Sequence, residues 1–310
     1  MNLIDTLIYA FEIILAVISS VHALISKRDP KSSFGWIAVC ILIPFGGPFL
    51  YYLFGINRVR SRAEKLQHRA GIHNFDVTVP ERENRLDFRT DTDALNSIEC
   101  PEIVHVSDVV TSRTLVGGNR IDVLTNGEEA YPAMLHAIQS ARQYVFLTTY
   151  IFESNNTGQA FVDALGQAAE RGIDVRVIVD GLSDIYRMNW ASRRLKKAGV
   201  SVARFLPPQL IPPVLHINLR NHRKILIADG QTGFTGGMNI GDSYLAERHD
   251  NPDRVVDLHF RLKGPILKQI EEVFMEDWGF ITGNYEILRP AATGREGSAL
   301  CRVITEGPNE

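Results

Sequence analysis

The sequence predicts an α/β fold with a mixed sheet, preceded by two transmembrane helices. Three observations predict it. From Arg120 onward, short apolar and β-branched runs alternate with amphipathic stretches, the pattern of strands and helices in a layered sandwich. Two long apolar runs crowd the N-terminus, Leu7 to Ile25 and Phe34 to Leu53. The segment NHRKILIADGQTGFTGGMN, Asn221 to Asn239, has an apolar strand core flanked by chemistry-bearing residues.

Each apolar run approaches the ~20 residues that a helix needs to cross the hydrocarbon core. Glu12 and His22 interrupt the first run. A carboxylate is costly at mid-bilayer, so Glu12 is expected near an interface or facing the partner helix. The residues before the run include Asp5 but no Lys or Arg, and no A-x-A site follows, which favours a retained helix over a cleaved signal. Pro44, Gly46, Gly47 and Pro48 in the second run read as a bend between packed helices. Lys27, Arg28 and Lys31 lie between the runs, and Arg58, Arg60, Arg62 and Lys65 follow the second. This slight bias leans towards a multi-pass membrane protein with the domain that follows in the cytoplasm. The arginines after the second run can also attract anionic lipid.

The resulting organisation is a two-helix membrane anchor over residues 1–57, a linker and lead-in segment over 58–119, and a catalytic domain over 120–310. In the last part, Ile121 to Leu124 reads as a strand, and Glu128 to Ala141 has helical apolar spacing. Tyr144 to Ile151, aromatic and β-branched, is a strand. Gly158 to Arg171 is an amphipathic helix stopped by Gly172. A strand at Val175 to Val179, a helix at Trp190 to Lys197 and a strand at Val200 to Phe205 follow. Ile225 to Ala228 pairs with Gly233 to Thr235 across a short Gly-containing turn. Val255 to Leu262 is a strand, and Pro265 opens a final helix reaching about Trp278.

Composition narrows the chemistry. A net charge of −3 over 310 residues disfavours a dedicated nucleic-acid binder. Cys40, Cys100 and Cys301 stand far apart, and no CxxC or HExxH occurs, so nothing asks for a metal or another cofactor.

The Asn221 to Asn239 segment carries the function. It places His222, Lys224 and Asp229 at spacings of two and five, followed by Gly236, Gly237 and Asn239. Residues two apart in an extended chain share a face, so His222 and Lys224 can enter one pocket. An imidazole supplies a nucleophile or proton carrier, and an ammonium supplies a compact positive charge. Asn239 can donate an amide hydrogen bond, while the Gly pair lets backbone approach a bound group. Together they suit a tetrahedral anionic phosphoryl centre.

This arrangement resembles the HxKxxxxD signature, with its trailing GGxN, of the phospholipase D superfamily. Ile43, Pro44, Phe45, Gly47, Tyr51, Phe54 and Gly55, together with YVFLTTYIFESNNTG and DLHFRLKGPILKQIEEVFMEDW, resemble bacterial cardiolipin synthases in particular. The resemblance implies a phospholipase D-like α/β sandwich and phosphatidyl transfer between two phosphatidylglycerol molecules, giving cardiolipin and glycerol through a phosphohistidine. It implies a catalytic set of His222, Lys224 and Asp229, with Asp229 holding geometry; a simple turn aspartate remains equally open. Asn239, Gly236 and Gly237 would bind substrate, and Asp257 would orient His222, against the alternative of a strand-end aspartate. Tyr150 and Glu153 stand near the family's pocket as weaker candidates. Arg220 and Arg223 could add positive potential or serve at a strand edge, and His216 and His259 read as structural histidines. The apolar, proline-rich stretch Phe205 to Ile217 could dip into the lipid interface or form a rigid packed loop.

Cardiolipin synthases carry two such motifs in one chain, and here there is one; the tail CRVITEGPNE resembles the opening of a second half. The expected partners are therefore phosphatidylglycerol, the membrane, and either a second copy or a separate second-half chain, with no nucleic acid. The alternatives are an inactive or partner-dependent half-enzyme and a homodimeric single-motif phosphodiesterase. The other chemical route to cardiolipin uses a carboxylate cluster that Asp180-Gly181 alone does not supply.

Overall fold

The computed structural model describes residues 3–27, 29–56, 101–111, 113–186, 191–210, 213–214, 220–247, 252–284 and 294–305. Two compact units divide them: residues 1–65 with 208–215, and 66–207 with 216–308.

In the first unit, α1 (Leu3–Ser26) is 24 residues long and apolar enough to cross a membrane. The second apolar run differs from the expected single helix. It forms α2 (Pro30–Leu42), the short α3 (Gly46–Leu50) and a π-turn (Tyr51–Gly55). At 13 residues, α2 rises only about 20 Å, short of the ~30 Å hydrocarbon core. The physical cause lies in Ile43 to Phe45. Pro44 cannot donate to a helical ladder, and Phe45 takes φ 53°, which ends α2. Asp29 caps α2 by accepting from the Lys31 and Ser32 amides. Ser33 Oγ donates to the Ala23 carbonyl, and His22 Nδ1 lies 2.7 Å from Tyr51 Oη. Polar contacts of this kind join the two apolar runs. Glu12 is half-buried among exposed neighbours, midway along α1 rather than at its end. The ribbon of β5 (Gln209–Leu210) and β6 (Pro213–Val214) also belongs here.

The second unit begins with α4 (Pro101–Thr111) and is built on a mixed eight-stranded sheet, order β10-β1-β9-β8-β7-β2-β3-β4. Its strands are β1 (Val116–Thr125), β2 (Tyr144–Thr149), β3 (Asp174–Asp180), β4 (Ser201–Phe205), β7 (Ile225–Ala228), β8 (Thr232–Gly236), β9 (Leu258–Lys263) and β10 (Ala299–Cys301). β2, β3 and β4 run parallel, as crossover helices require; the remaining pairs are antiparallel. β1 starts five residues before the expected strand, because Gly117 and Gly118 give no apolar signal and yet continue into pairing with β10.

Layers form on both faces. Val145, Leu147, Val175 and Val177 bury against α5 (Asn126–Ser140), α6 (Asn156–Glu170) and α8 (Ala191–Lys197). Alternation sends Phe146 to the other face. There its ring stacks on Phe274 at 4.8 Å, and Phe274 lies 6.1 Å from Trp278. Both belong to α9 (Ile266–Thr282), whose first free amide is capped by Asn119 Oδ1. The short α7 (Gly181–Tyr186) follows β3. Strands buried on both faces read as continuous apolar runs, which is why KILIA and VRVIV were legible. Residues 57–100, most of the expected linker, and His216 lie outside the described residues, as do 211–212 and 215–219 of the proline-rich stretch.

Candidate active site

The motif strand β7 begins at Ile225. His222 and Lys224 therefore occupy the extended segment just before it, not the strand itself. Alternation still holds there. Asn221 is buried and His222 exposed. Asn221 Nδ2 donates to Asp277 Oδ2 at 2.7 Å, and the Arg223 guanidinium pairs with Asp277 Oδ1. His222 and Lys224 go to the opposite side and meet Tyr150. The His222 and Tyr150 rings lie 4.5 Å apart, and Lys224 Nζ lies 5.9 Å from the Tyr150 ring centre. The same ammonium donates to the His222 carbonyl at 2.7 Å. The structure thus brings the imidazole and the ammonium together, with a phenol ring as their shared platform.

Burial pushes the Lys224 ammonium below its usual range, and the Asp257 carboxylate opposes that shift. His259 lies behind the pair, 1% exposed. Burial, assisted by the Lys224 charge, lowers its pKa to about 4, so it is neutral at pH 7.

Tyr150 leaves the end of β2, and the loop after it is pinned. The Ile151 amide donates to Asn239 Oδ1, and the Ile240 amide donates to the Ile151 carbonyl. Asn239 Nδ2 donates to Tyr244 Oη. Expected as a substrate donor, Asn239 is buried and holds the loop carrying Tyr150, with one amide hydrogen left over. Gly236 and Gly237 are packing requirements. A Cβ on Gly236 would stand 2.6 Å from both the Leu258 carbonyl and His259 Nδ1; one on Gly237 would stand 2.3 Å from Asp257 Oδ1. Glu153 accepts from Asn155 Nδ2 beside Gly241.

Asp229, grouped with the catalytic residues but expected to hold geometry or a turn, sits at the far end of β7 from His222. With φ 53° it shares a type I′ turn with Gly230, φ 61°. Its carboxylate accepts from the Arg142, Gln143 and Tyr144 amides at 2.8–2.9 Å, so it fixes the start of β2 and is remote from the imidazole. Asp257 was expected to orient His222. Among the described residues no hydrogen bond joins them. Its carboxylate instead accepts from the Leu258 amide at 2.7 Å and faces Lys224 electrostatically. Arg220 and Arg223, read either as added positive potential or as strand-edge residues, pair with Asp180 and Asp277. No cluster suited to a metal ion occurs among the described residues.

An exposed imidazole beside an ammonium at the start of a central strand of an α/β sheet, followed by GGxN, is the arrangement of a phospholipase D-like domain. Residues 134–278 match the family model described as "Cardiolipin synthase, PLD-like domain", and residues 14–55 match "Phospholipase_D-nuclease N-terminal". Residues 134–278 are thus similar to the phospholipase D-like domain of cardiolipin synthases, and residues 14–55 to the N-terminal segment that accompanies such domains. It is similar to the major cardiolipin synthase ClsA of Bacillus subtilis, at 28% identity over 99% of this chain and 64% of that one. It is also similar to cardiolipin synthase 1 of Bacillus cereus, at 33% identity over 82% and 49%. The chain therefore spans about half to two thirds of the length of these relatives. Among solved structures, a phospholipase D family member, Nuc from Salmonella typhimurium, aligns with a TM-score of 0.40 at 19% identity, covering 53% of this chain and 96% of that one.

Proposed function

We propose that this chain supplies one half of a cardiolipin synthase active site and takes part in phosphatidyl transfer between two phosphatidylglycerol molecules. The observation that carries the reading is the exposed His222 imidazole packed against the Tyr150 ring at 4.5 Å and tilted 47° to it, with the Lys224 ammonium over the same ring. A ring nitrogen of His222 attacks the phosphodiester phosphorus. The P–N bond forms as the P–O bond to glycerol breaks, and a second acid protonates the departing oxygen. Lys224 neutralises charge on the phosphoryl oxygens in the transition state. The hydroxyl of a second phosphatidylglycerol then gives its proton to that same group and displaces the histidine. Cardiolipin and glycerol result, and no metal ion or nucleotide is consumed.

The second acid belongs to a second motif of the same kind; the 310 residues carry one HxKxxxxD, and a second copy or a separate chain is one source of the other. The same observation favours a second reading, a half-enzyme inactive until its partner binds. We infer further that both apolar runs of residues 1–57 insert in the inner membrane and that the 120–310 domain is cytoplasmic; α1, at 24 residues, is long and apolar enough to span.

The test reconstitutes full-length protein into phosphatidylglycerol vesicles with chelator and no nucleotide. Cardiolipin plus glycerol, abolished by His222→Ala, supports transfer. Activity that requires a CDP-lipid or a divalent ion overturns it. No product from either protein favours the half-enzyme reading, which crosslinking and mixing with second-motif chains then decide.

A further inference from the structure

The motif segment is gripped from two sides by buried carboxylates that stand far from it in sequence. On one side is Asp180, at the end of β3. Its side chain is fully buried, and it accepts from the Leu182 and Ser183 amides at 3.0 Å. Arg220, whose side chain is 4% exposed, reaches it at 3.4 Å and also donates to the Leu206 carbonyl at 3.1 Å. On the other side is Asp277 on α9, 7% exposed, holding Asn221 through one oxygen and Arg223 through the other. The Arg223 amide also donates to Asn221 Oδ1 at 2.9 Å. Residues 220, 221 and 223 are thus tied down on either flank of His222. In an extended chain, fixing the side chains of 221 and 223 on one face sends 222 and 224 to the other, while Arg220 anchors the backbone just before them.

We propose that Asp277 and Asp180 are positioning residues for the reaction: acting through Asn221, Arg223 and Arg220, they lock the backbone around His222 so that its imidazole and the Lys224 ammonium meet on the Tyr150 ring. The grip is needed because β7 starts only at Ile225, so no strand ladder fixes residues 220–224. The catalytic consequence rests on His222 being the reacting group; the positional claim does not.

Two readouts separate them. Full-length protein labelled with 13C-histidine in detergent gives a His222 resonance, assigned by its loss in His222→Gln. A ring contact at 4.5 Å displaces that resonance by ring current, and Tyr150→Leu marks its undisplaced position. Asp277→Asn is expected to move the resonance at least halfway towards that position. Glu272→Gln, an exposed neighbour on the same helix, is expected to leave it in place. If Asp277→Asn does not fold, Asn221→Ala serves, because it removes two hydrogen bonds, the one to Asp277 and the one from the Arg223 amide, and leaves the Arg223–Asp277 pair. In the vesicle assay, both variants are expected to lower kcat about tenfold or more with KM little changed, since misplacement costs rate rather than affinity. A wild-type His222 resonance in folded Asp277→Asn, or in Asn221→Ala where the former does not fold, overturns the clamp. A shifted resonance in a protein whose activity does not depend on His222 keeps the clamp and removes the mechanism.

Discussion

The phenol ring of Tyr150 lies 4.5 Å from the His222 imidazole, centre to centre, and is the surface on which the motif's two functional groups meet. Tyr150 contributes its face to both contacts. Tyr150→Phe should therefore retain most activity. Tyr150→Ala should lower kcat about tenfold, because a close ring pair and an ammonium over a ring contribute only about 1 kcal/mol each. Steady-state kinetics on phosphatidylglycerol vesicles compare the two variants.

Asp229 predicts a stability effect and no chemical one. Its carboxylate accepts from three consecutive backbone amides, and hydrogen bonds to a charged group contribute about 1.5–3 kcal/mol each. Asp229→Ala leaves those donors without their acceptor and puts a Cβ-branch-free but less tolerant residue at positive φ. A loss of roughly 3 kcal/mol or more is expected, read as a large drop in thermal midpoint. Asp229→Asn, which keeps one acceptor oxygen and the left-handed preference, should lose less. Activity per folded molecule should stay within about twofold of wild type in Asp229→Asn.

His259 should impose a pH dependence on stability. Its folded pKa is about 4, against an ordinary value of 6.5. Between those values the unfolded chain binds a proton that the folded chain refuses. Stability is therefore complete above pH 6.5 and falls as pH drops towards 4. The loss reaches about 3 kcal/mol, at ~1.4 kcal/mol per pH unit. Unfolding midpoints at pH 7 and pH 5 should differ by more in wild type than in His259→Asn.

The two motif glycines should differ in sensitivity. In Gly236→Ala the new methyl meets the Leu258 carbonyl, which is backbone of β9 and cannot move without breaking the ladder. In Gly237→Ala it meets the Asp257 carboxylate, a side chain that can turn aside. Overpacking costs about 1–3 kcal/mol, with Gly236→Ala at the upper end. Gly237→Ala should instead withdraw the carboxylate that favours the charged form of Lys224, lowering kcat more than the thermal midpoint.

Much of the fold was legible because its signals are local. The Asp229-Gly230 turn, the apolar runs of β2, β3 and β7, and the amphipathic spacing of α5, α6 and α9 sit within a few residues of one another. Boundaries were read less well. β10 was missed, being three residues long with no alternation of its own, and α2 ended early at Pro44. The HxK spacing put His222 and Lys224 in one place, as they lie in the structure, and Tyr150 stood among the weaker candidates. Asp277 was not identified at all. Its only trace was a carboxylate on an otherwise buried helix face, next to Trp278, a position that costs stability unless it is paired.

The sequence by itself determined the layered α/β architecture, the apolar character of the N-terminal runs and the identity of the imidazole and ammonium. Periodicity and short motifs encode these within single elements. Tertiary structure alone decided that Asp229 braces β2 from the far end of β7, that Asp257 faces Lys224, and that Asp180 and Asp277 hold the segment between them. Those pairings depend on the register among β2, β3, β7 and α9. Residues 54 to 56 positions apart, such as Asn221 and Arg223 with Asp277, meet only once the whole sheet has fixed that register.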